Sequence, residues 1–436
     1  MTGWRRWFAL RRKRLLFSFV LLGVAAGFVL PWHMAKNPFP LERLEALPQS
    51  TVLSDREGRP LARSLTVDEQ WRLPVPLEDI SPWLRQATIA VEDERFNKHS
   101  GIDFISVSRA CLQNLFAGGV VSGASTLDMQ LCRMLDPRPR TIEAKLSEAA
   151  RAWQAKACLS KGEVLEAYLN LAPYGGNLQG AEAASLRYFG KSAKELSLPE
   201  AALLAGIPQS PARLRPDRYP KAAFKRRNKV LGRMLEEEMI SPEVARDLTA
   251  ERIELELGLL SGKSARHFVT EALSSRPEGG LSFLDSRLQA EIEQLARQRL
   301  LGLPVGSDMA VVVIEIESGG LVAMLGGVDF EDPSGGQVNA AKAWRSPGSA
   351  LKPFIYATAA AERRLDGNTI LSDSQTAFAG WNPENFDRTF SGEVTAGNAL
   401  RTSLNLPALQ VCREVGAAKS AGIAEACGVR FRGDAV

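Results

Sequence analysis

Hydrophobic and polar positions divide this 436-residue chain into stretches of different character. Residues 15–32 carry no charge and are almost wholly apolar. As a helix rising ~1.5 Å per residue they would span roughly 27 Å, close to the thickness of a bilayer's hydrocarbon. Residues 33–60 alternate prolines with short polar turns and read as a stalk. From about residue 76 to 214 the apolar spacing is helical. Ser160 with Glu163 forms a capping box that opens a helix through Tyr168 and Asn170, and Ser197 with Glu200 repeats the device. Gly206 and Pro208 stop that second helix. Residues 216–280 are charged and helical, carry no motif, and read as a connector. Beyond Phe283 the pattern changes. Residues 288–301 form an amphipathic helix, and 310–314 and 321–325 are β-branched runs around Ser318-Gly319-Gly320, which predicts a hairpin. A helix over 351–361 completes the signs of a separate α+β domain over 281–436.

Charge sharpens the reading of the first 32 residues. The formal net charge of +4 comes from 54 basic and 50 acidic residues. Six of the bases (Arg5, Arg6, Arg11, Arg12, Lys13 and Arg14) lie in residues 1–14, which hold no acid, so the remaining body is slightly acidic. That excludes a basic nucleic-acid-binding body. It favours a cytoplasmic tail over 1–14 and a transmembrane anchor over 15–32, with Trp32 at the far interface. The alternative is a cleaved signal peptide with Val24-Ala25-Ala26 as the processing site. Cys111, Cys132, Cys158, Cys412 and Cys427 are odd in number and lack metal-type spacing, so we expect buried free thiols and no zinc.

Chemistry concentrates in residues 90–170. Glu92 is a candidate general base, since a carboxylate shielded from water can deprotonate a sugar hydroxyl. Lys145 and Glu148, three apart on a helix, share a face, and Lys156 falls near it. Alone they read as a surface ion pair; beside Arg133 they read as a groove lined for a pyrophosphate.

These residues fall in four ordered signatures. Glu92-Asp93-x-x-Phe96-x-x-His99-x-Gly101 resembles the first signature of the peptidoglycan glycosyltransferases of class A penicillin-binding proteins. Gly123-x-Ser125-Thr126-x-x-x-Gln130 resembles the second, Lys145-x-x-Glu148 the third, and 161–170 the fourth. Ala172-Pro173-Tyr174-Gly175-Gly176-Asn177, Pro208-Gln209-Ser210-Pro211 and Met129 are most similar to the 1C branch. The resemblance implies a multidomain chain: an N-terminal transmembrane helix, a mostly α, lysozyme-like glycosyltransferase domain over 61–215, then a truncated α+β transpeptidase domain. It implies lipid II and glycan strands as partners, inner-membrane lipid around the anchor and no nucleic acid. The catalytic domains would be periplasmic on a single-pass bacterial inner-membrane protein. Glu92 would deprotonate the acceptor 4-hydroxyl. The oxygen would invert the donor anomeric carbon to a β-1,4 link and release undecaprenyl pyrophosphate, which Glu148, Lys145 and Arg133 would stabilise. Ser125, Thr126 and Gln130 would line the donor site. No cofactor is required, although the resemblance admits a divalent cation, Mg or Mn. Ala144 and Arg133 depart from the family's usual basic residue and lysine. His99 reads as a structural, hydrogen-bonded turn residue. The rival readings are a lysozyme-like glycosidase with the same carboxylates, and a lipid II-binding scaffold or inactive remnant.

A second chemistry starts at Ser349-x-x-Lys352. At a helix start this spacing places the lysine near the serine hydroxyl, which it can deprotonate. Its setting, with Arg345-Ser346-Pro347-Gly348 before and Pro353-Phe354 after, resembles the penicillin-binding transpeptidases, and Ser403-Leu404-Asn405 resembles their Ser-x-Asn motif. By resemblance, Ser349, Lys352, Ser403 and Asn405 are the catalytic set, and β-lactams are ligands of the complete family domain. Residues 381–387 also have a family counterpart, with no role legible in the sequence. No Lys-Thr/Ser-Gly follows Asn405. That wall would complete the oxyanion site, so the expectation for this chain as written is no transpeptidase activity.

Overall fold

The computed structural model describes residues 30–117, 119, 123–258, 260, 262, 264–377 and 381–432. The tail over 1–14 and most of the proposed anchor lie outside the described residues. Among those described, no helix is long and apolar enough to cross a membrane. The chain forms two compact units, 1–341 and 342–436.

The first unit begins with helices α1 (Leu30–Lys36) and α2 (Leu41–Glu45) and strands β1 (Val52–Ser54), β2 (Pro60–Arg63) and β3 (Trp71–Arg72). Then come α3 (Pro82–Glu92), α4 (Phe104–Ala117), α5 (Leu127–Leu135), α6 (Ile142–Ala155) and α7 (Lys161–Leu171). Strands β4 (Pro173–Gly175) and β5 (Leu178–Gln179) precede α8 (Ala181–Phe189), α9 (Leu198–Gly206), α10 (Pro220–Glu236) and α11 (Pro242–Ala250). Both predicted capping boxes form, at Ser160 and Ser197, each satisfying helix-end donors reciprocally. The pair β4–β5, with β3 parallel to β5, is a small sheet that the helical spacing over 76–214 did not predict.

Two expected boundaries are corrected by packing. The stalk over 33–60 is not a free spacer: Phe39 is buried in the main core, α1 packs on α6, and β1 pairs with β2. The connector over 216–280 is not one either. Helix α10 places Ala223, Val230, Leu231 and Met234 in the same core as Leu84, Leu131, Leu169 and Leu204. Its apolar stripe supplies enough buried surface to hold it there, at ~1.5–3 kcal/mol for each fully buried large aliphatic side chain.

The remainder of this unit holds α12 (Arg266–Ser275), β6 (Gly280–Leu281), α13 (Ser286–Leu300), β7 (Val311–Ile314) and β8 (Leu321–Leu325). Strand β6 pairs parallel to β1, and β7–β8 is the predicted hairpin. Residues 281–341 fall within the first unit. A small core of Leu53, Leu61, Phe268, Leu284 and Met324 ties them to β1 and β2.

The second unit contains α14 (Lys352–Ala361), antiparallel strands β9 (Ile370–Asp373) and β10 (Gly392–Thr395), α15 (Ala396–Arg401), α16 (Asn405–Val415) and α17 (Ala417–Ala426). Its core gathers Tyr356, Ala359, Leu371, Val394, Ala399, Ala408, Val411 and Val415. All five cysteines are free as expected, but only Cys132 is buried; Cys111, Cys158 and Cys427 are exposed and Cys412 is intermediate. Apolar neighbours in sequence did not place those thiols on inward helix faces.

Candidate active site

Glu92 ends α3. Pro82 and the cap position Ser81 start that helix, and Leu84, Ala87, Thr88 and Ala90 bury one face of it. The Glu92 side chain emerges only 13% exposed. Gln130 Nε2 donates to its Oε2 at 2.9 Å, and Arg226 Nη2 of α10 stands 3.9 Å from its Oε1. Burial pushes its pKa above the ordinary 4.5, Gln130, Arg226 and Arg133 pull it back, and the Asp93 charge adds to the rise. The result is a partly desolvated carboxylate fit to accept a proton.

The residues after Glu92 fix it in place. Asp93 accepts from Leu127 N at 3.0 Å and from His99 Nε2 at 3.0 and 3.1 Å, which ties the end of α3 to the start of α5. His99 is thus a hydrogen-bonded turn residue with its side chain turned inward. Thr126 caps α5 by accepting from Met129 N, and its hydroxyl donates to Gly101 O at 2.6 Å. Gly101 has φ +91°, and a Cβ there would lie 2.1 Å from Ala152 O. Only glycine lets this turn lie directly on α6. Thr126 therefore positions Gln130 and is itself buried.

Across from this turn, Lys145 of α6 hydrogen-bonds both Ser125 Oγ and Glu148 Oε2, the latter at 3.2 Å. Burial depresses the Lys145 pKa while Glu148 raises it. Half-buried Arg133 adds its field to both Glu92 and Lys145. Lys156 does not join them: its ammonium lies 4.2 Å over the Trp153 ring. A cleft of about 180 Å³ runs past Glu92, Asp93, Glu94, Arg109, Ser125 and Arg233.

A resident divalent cation does not fit this turn. Among the described residues, Asp93, His99 and Asp128 bring ligand atoms within 4.8 Å of one another. Asp93 is already spent on Leu127 N and His99, and Lys161 Nζ sits 2.9 Å from Asp128 Oδ2. The lysine supplies the charge an ion would bring.

The second unit holds the other predicted set. Ser349 lies in a short 3-10 turn before α14 and is exposed. Lys352, first residue of α14, is buried and donates to Asn405 Oδ1 at 2.7 Å, to Ser403 Oγ at 3.2 Å and to Ser403 O. Its bonds go to the Ser-x-Asn turn, not to Ser349, because the lysine stem points across α14 toward the start of α16. Burial lowers its pKa. Ser403 takes a left-handed φ of 56°. Asn385, in the stretch whose role the sequence left blank, accepts from Asn405 N at 2.8 Å and donates to both oxygens of buried Asp373. It braces that turn.

Residues 57–235 match the family profile described as Transglycosylase, and 309–430 match the one described as Penicillin binding protein transpeptidase domain. Over the length it spans, the chain is similar to penicillin-binding proteins. It is 40% identical to penicillin-binding protein 1C of Escherichia coli over 89% of this chain and 50% of that one. It is 30% identical to penicillin-binding protein 1F of Bacillus subtilis over 94% of this chain and 60% of the relative. A crystal structure of penicillin-binding protein 1A from Haemophilus influenzae aligns at a TM-score of 0.40 and 21% identity, covering 88% of this chain and 64% of that one. The chain thus spans about half the length of the curated relatives it matches.

The Transglycosylase match runs to residue 235, almost the end of α10, so that domain reaches past residue 215. That helix supplies what the motif reading missed. Arg226 faces Glu92, and Arg233 pairs with Glu94, which also accepts from Arg109 Nη1 at 3.1 Å. The available signal was the i, i+7 spacing of the two arginines on an amphipathic helix, hidden by the surrounding Lys225, Arg227 and Lys229.

Proposed function

We propose that this chain is a membrane-anchored peptidoglycan glycosyltransferase that polymerises lipid II. The observation that carries the reading is Glu92: a carboxylate held by Gln130, with its pKa raised by burial, beside a cleft whose other residues include Ser125. Glu92 takes the proton of the acceptor GlcNAc 4-hydroxyl as that oxygen forms a bond to the donor MurNAc C1. The C1–oxygen bond to pyrophosphate breaks on the opposite face, so the anomeric centre inverts to β-1,4. The departing undecaprenyl pyrophosphate carries the electron pair, and the Lys145 and Arg133 cations stabilise it, with Glu148 and Ser125 holding Lys145 in place. The catalytic domains would then face the periplasm, with residues 15–32 as the anchor.

Labelled lipid II and detergent-solubilised protein test this. Glycan ladders are expected from the wild type, and Glu92→Gln should bind lipid II but lose polymerisation by a factor on the order of 10² or more. Folded wild type that gives no ladder overturns the reading. Release of reducing ends from preformed glycan would indicate a glycosidase, and lipid II binding unchanged by Glu92→Gln without turnover would indicate a scaffold.

A further inference from the structure

Arg226 and Arg233 lie seven residues apart on α10 and so share a face. Each meets a glutamate of one short segment. Arg226 Nη2 stands 3.9 Å from Glu92 Oε1, at the limit of an ion pair, while Arg233 Nη2 is bonded directly to Glu94 Oε2. Arg233 is steadied by Glu236 Oε2 at 2.5 Å, and Glu94 Oε1 by Arg109 of α4 at 3.1 Å. Burial works against the Glu94 charge, but the two arginines outweigh it and its pKa falls, so Glu94 stays ionised.

The contact that matters for chemistry does not hold itself. No hydrogen bond joins Arg226 to Glu92 among the described residues; the guanidinium Nε instead makes a long contact, 3.4 Å, with Gly206 O. Apolar packing of Val230, Leu231 and Met234 sets the depth of α10. Arg226 and Arg233 flank Val230 on the same side of the helix, Arg227 bonds Glu251 O and Thr249 O, and Glu94–Arg233 is the ion pair that joins this side to the segment carrying Glu92. We propose that Glu94 is a positioning residue: by tethering Arg233 it registers α10 so that Arg226 keeps its charge beside Glu92. The inference rests on the glycosyltransferase reading, in which Glu92 is the base.

The other groups facing Glu92 sit elsewhere. Arg133 and Gln130 are on α5, Asp93 follows Glu92 in the chain, and Tyr168 and Tyr174 are on α7 and β4. None of them lies on α10, so of the groups that bear on Glu92 it is Arg226 that a change in the registry of α10 would displace.

The acid limb of kcat/KM against pH for lipid II polymerisation reads the free-enzyme basicity of Glu92. Releasing Arg226 removes a stabilising positive charge, so the limb should move to higher pH. Loss of a charge at this distance in a partly buried site amounts to roughly one pH unit. Arg233→Ala should shift the limb upward by about that much, Glu94→Gln by less because it also removes a negative charge two residues from Glu92, while Arg233→Lys, which keeps the pair, should largely restore it. Arg109→Gln should leave the limb in place whatever it does to KM, because α4 does not carry Arg226. In an Arg226→Gln background the limb already stands high, and adding Glu94→Gln should move it no further. An unmoved limb in folded Glu94→Gln, or an equal shift in the Arg226→Gln background, overturns the inference. If Glu94→Gln does not fold, the contrast between Arg233→Lys and Arg233→Ala decides it. Absence of polymerisation by the wild type would instead strike the glycosyltransferase reading itself.

Discussion

At the scale of single residues, the first site is built on charges that are buried and then answered. Asp128 is nearly inaccessible; burial raises its pKa above 3.8 and Lys161 pulls it down. A carboxylate with a raised folded pKa contributes stability in full below the unfolded value and loses it as pH rises through the folded one. At neutral pH the charged form is therefore a cost that Lys161 offsets. Lys161→Met should destabilise the full chain by about 3–5 kcal/mol near pH 7.5, because it leaves a buried charge unpaired. The loss should be smaller near pH 5, where protonation relieves the charge, and Asp128→Asn added to Lys161→Met should recover most of it. Urea unfolding at the two pH values checks this, and an equal loss at both would reject the account. The same logic made Glu92 legible from its signature but left Asp128 unread. Nothing in the sequence shows that Asp128 and Lys161, 33 positions apart, meet until α5 and α7 pack together.

Helices explain why the sequence reading succeeded in some places and stopped in others. Where a cap and an apolar stripe coincide, as at Ser160 and Ser197, the local code was enough, and the turn at Gly319 likewise announced the β7–β8 hairpin. The sequence reads α10 as a linker because its solvent face is dense with Lys221, Lys225 and Lys229 and it also carries Arg227, which together outweigh the stripe of Ala223, Val230, Leu231 and Met234 in any average. Packing against α9 and α3 decides its role. Leu231→Ala should therefore cost about 2–5 kcal/mol of unfolding free energy, the range for a core leucine. Leu295→Ala on the exposed side of α13 should cost no more than about 0.5 kcal/mol. Similar urea midpoints for the two variants would return α10 to the status of a connector. The strands β4 and β5 were illegible for a different reason: two or three residues each are too short for a period-2 pattern, and β3, more than a hundred positions earlier, completes their sheet.

On the scale of the whole molecule, the balance of charge carries the remaining prediction. The described part of the chain begins at α1, which packs on α6 through Gln154 Nε2 to Met34 O at 2.9 Å. The transglycosylase domain is thereby tied to the end of the apolar stretch, so under the proposed function a retained anchor would hold the Glu92 cleft near the membrane surface, where a lipid-linked substrate would lie. The six basic residues of 1–14 against a slightly acidic body orient such an anchor with its N-terminus in the cytoplasm. We expect the protein to remain in the membrane pellet after alkaline carbonate washing, with an intact mass equal to the whole chain, and protease applied to the cytoplasmic face to trim only the tail. Processing near Ala26 would give a shorter mass and a soluble product. That outcome would separate the cleft from the membrane and require the lipid-linked substrate to be delivered to it by some other contact.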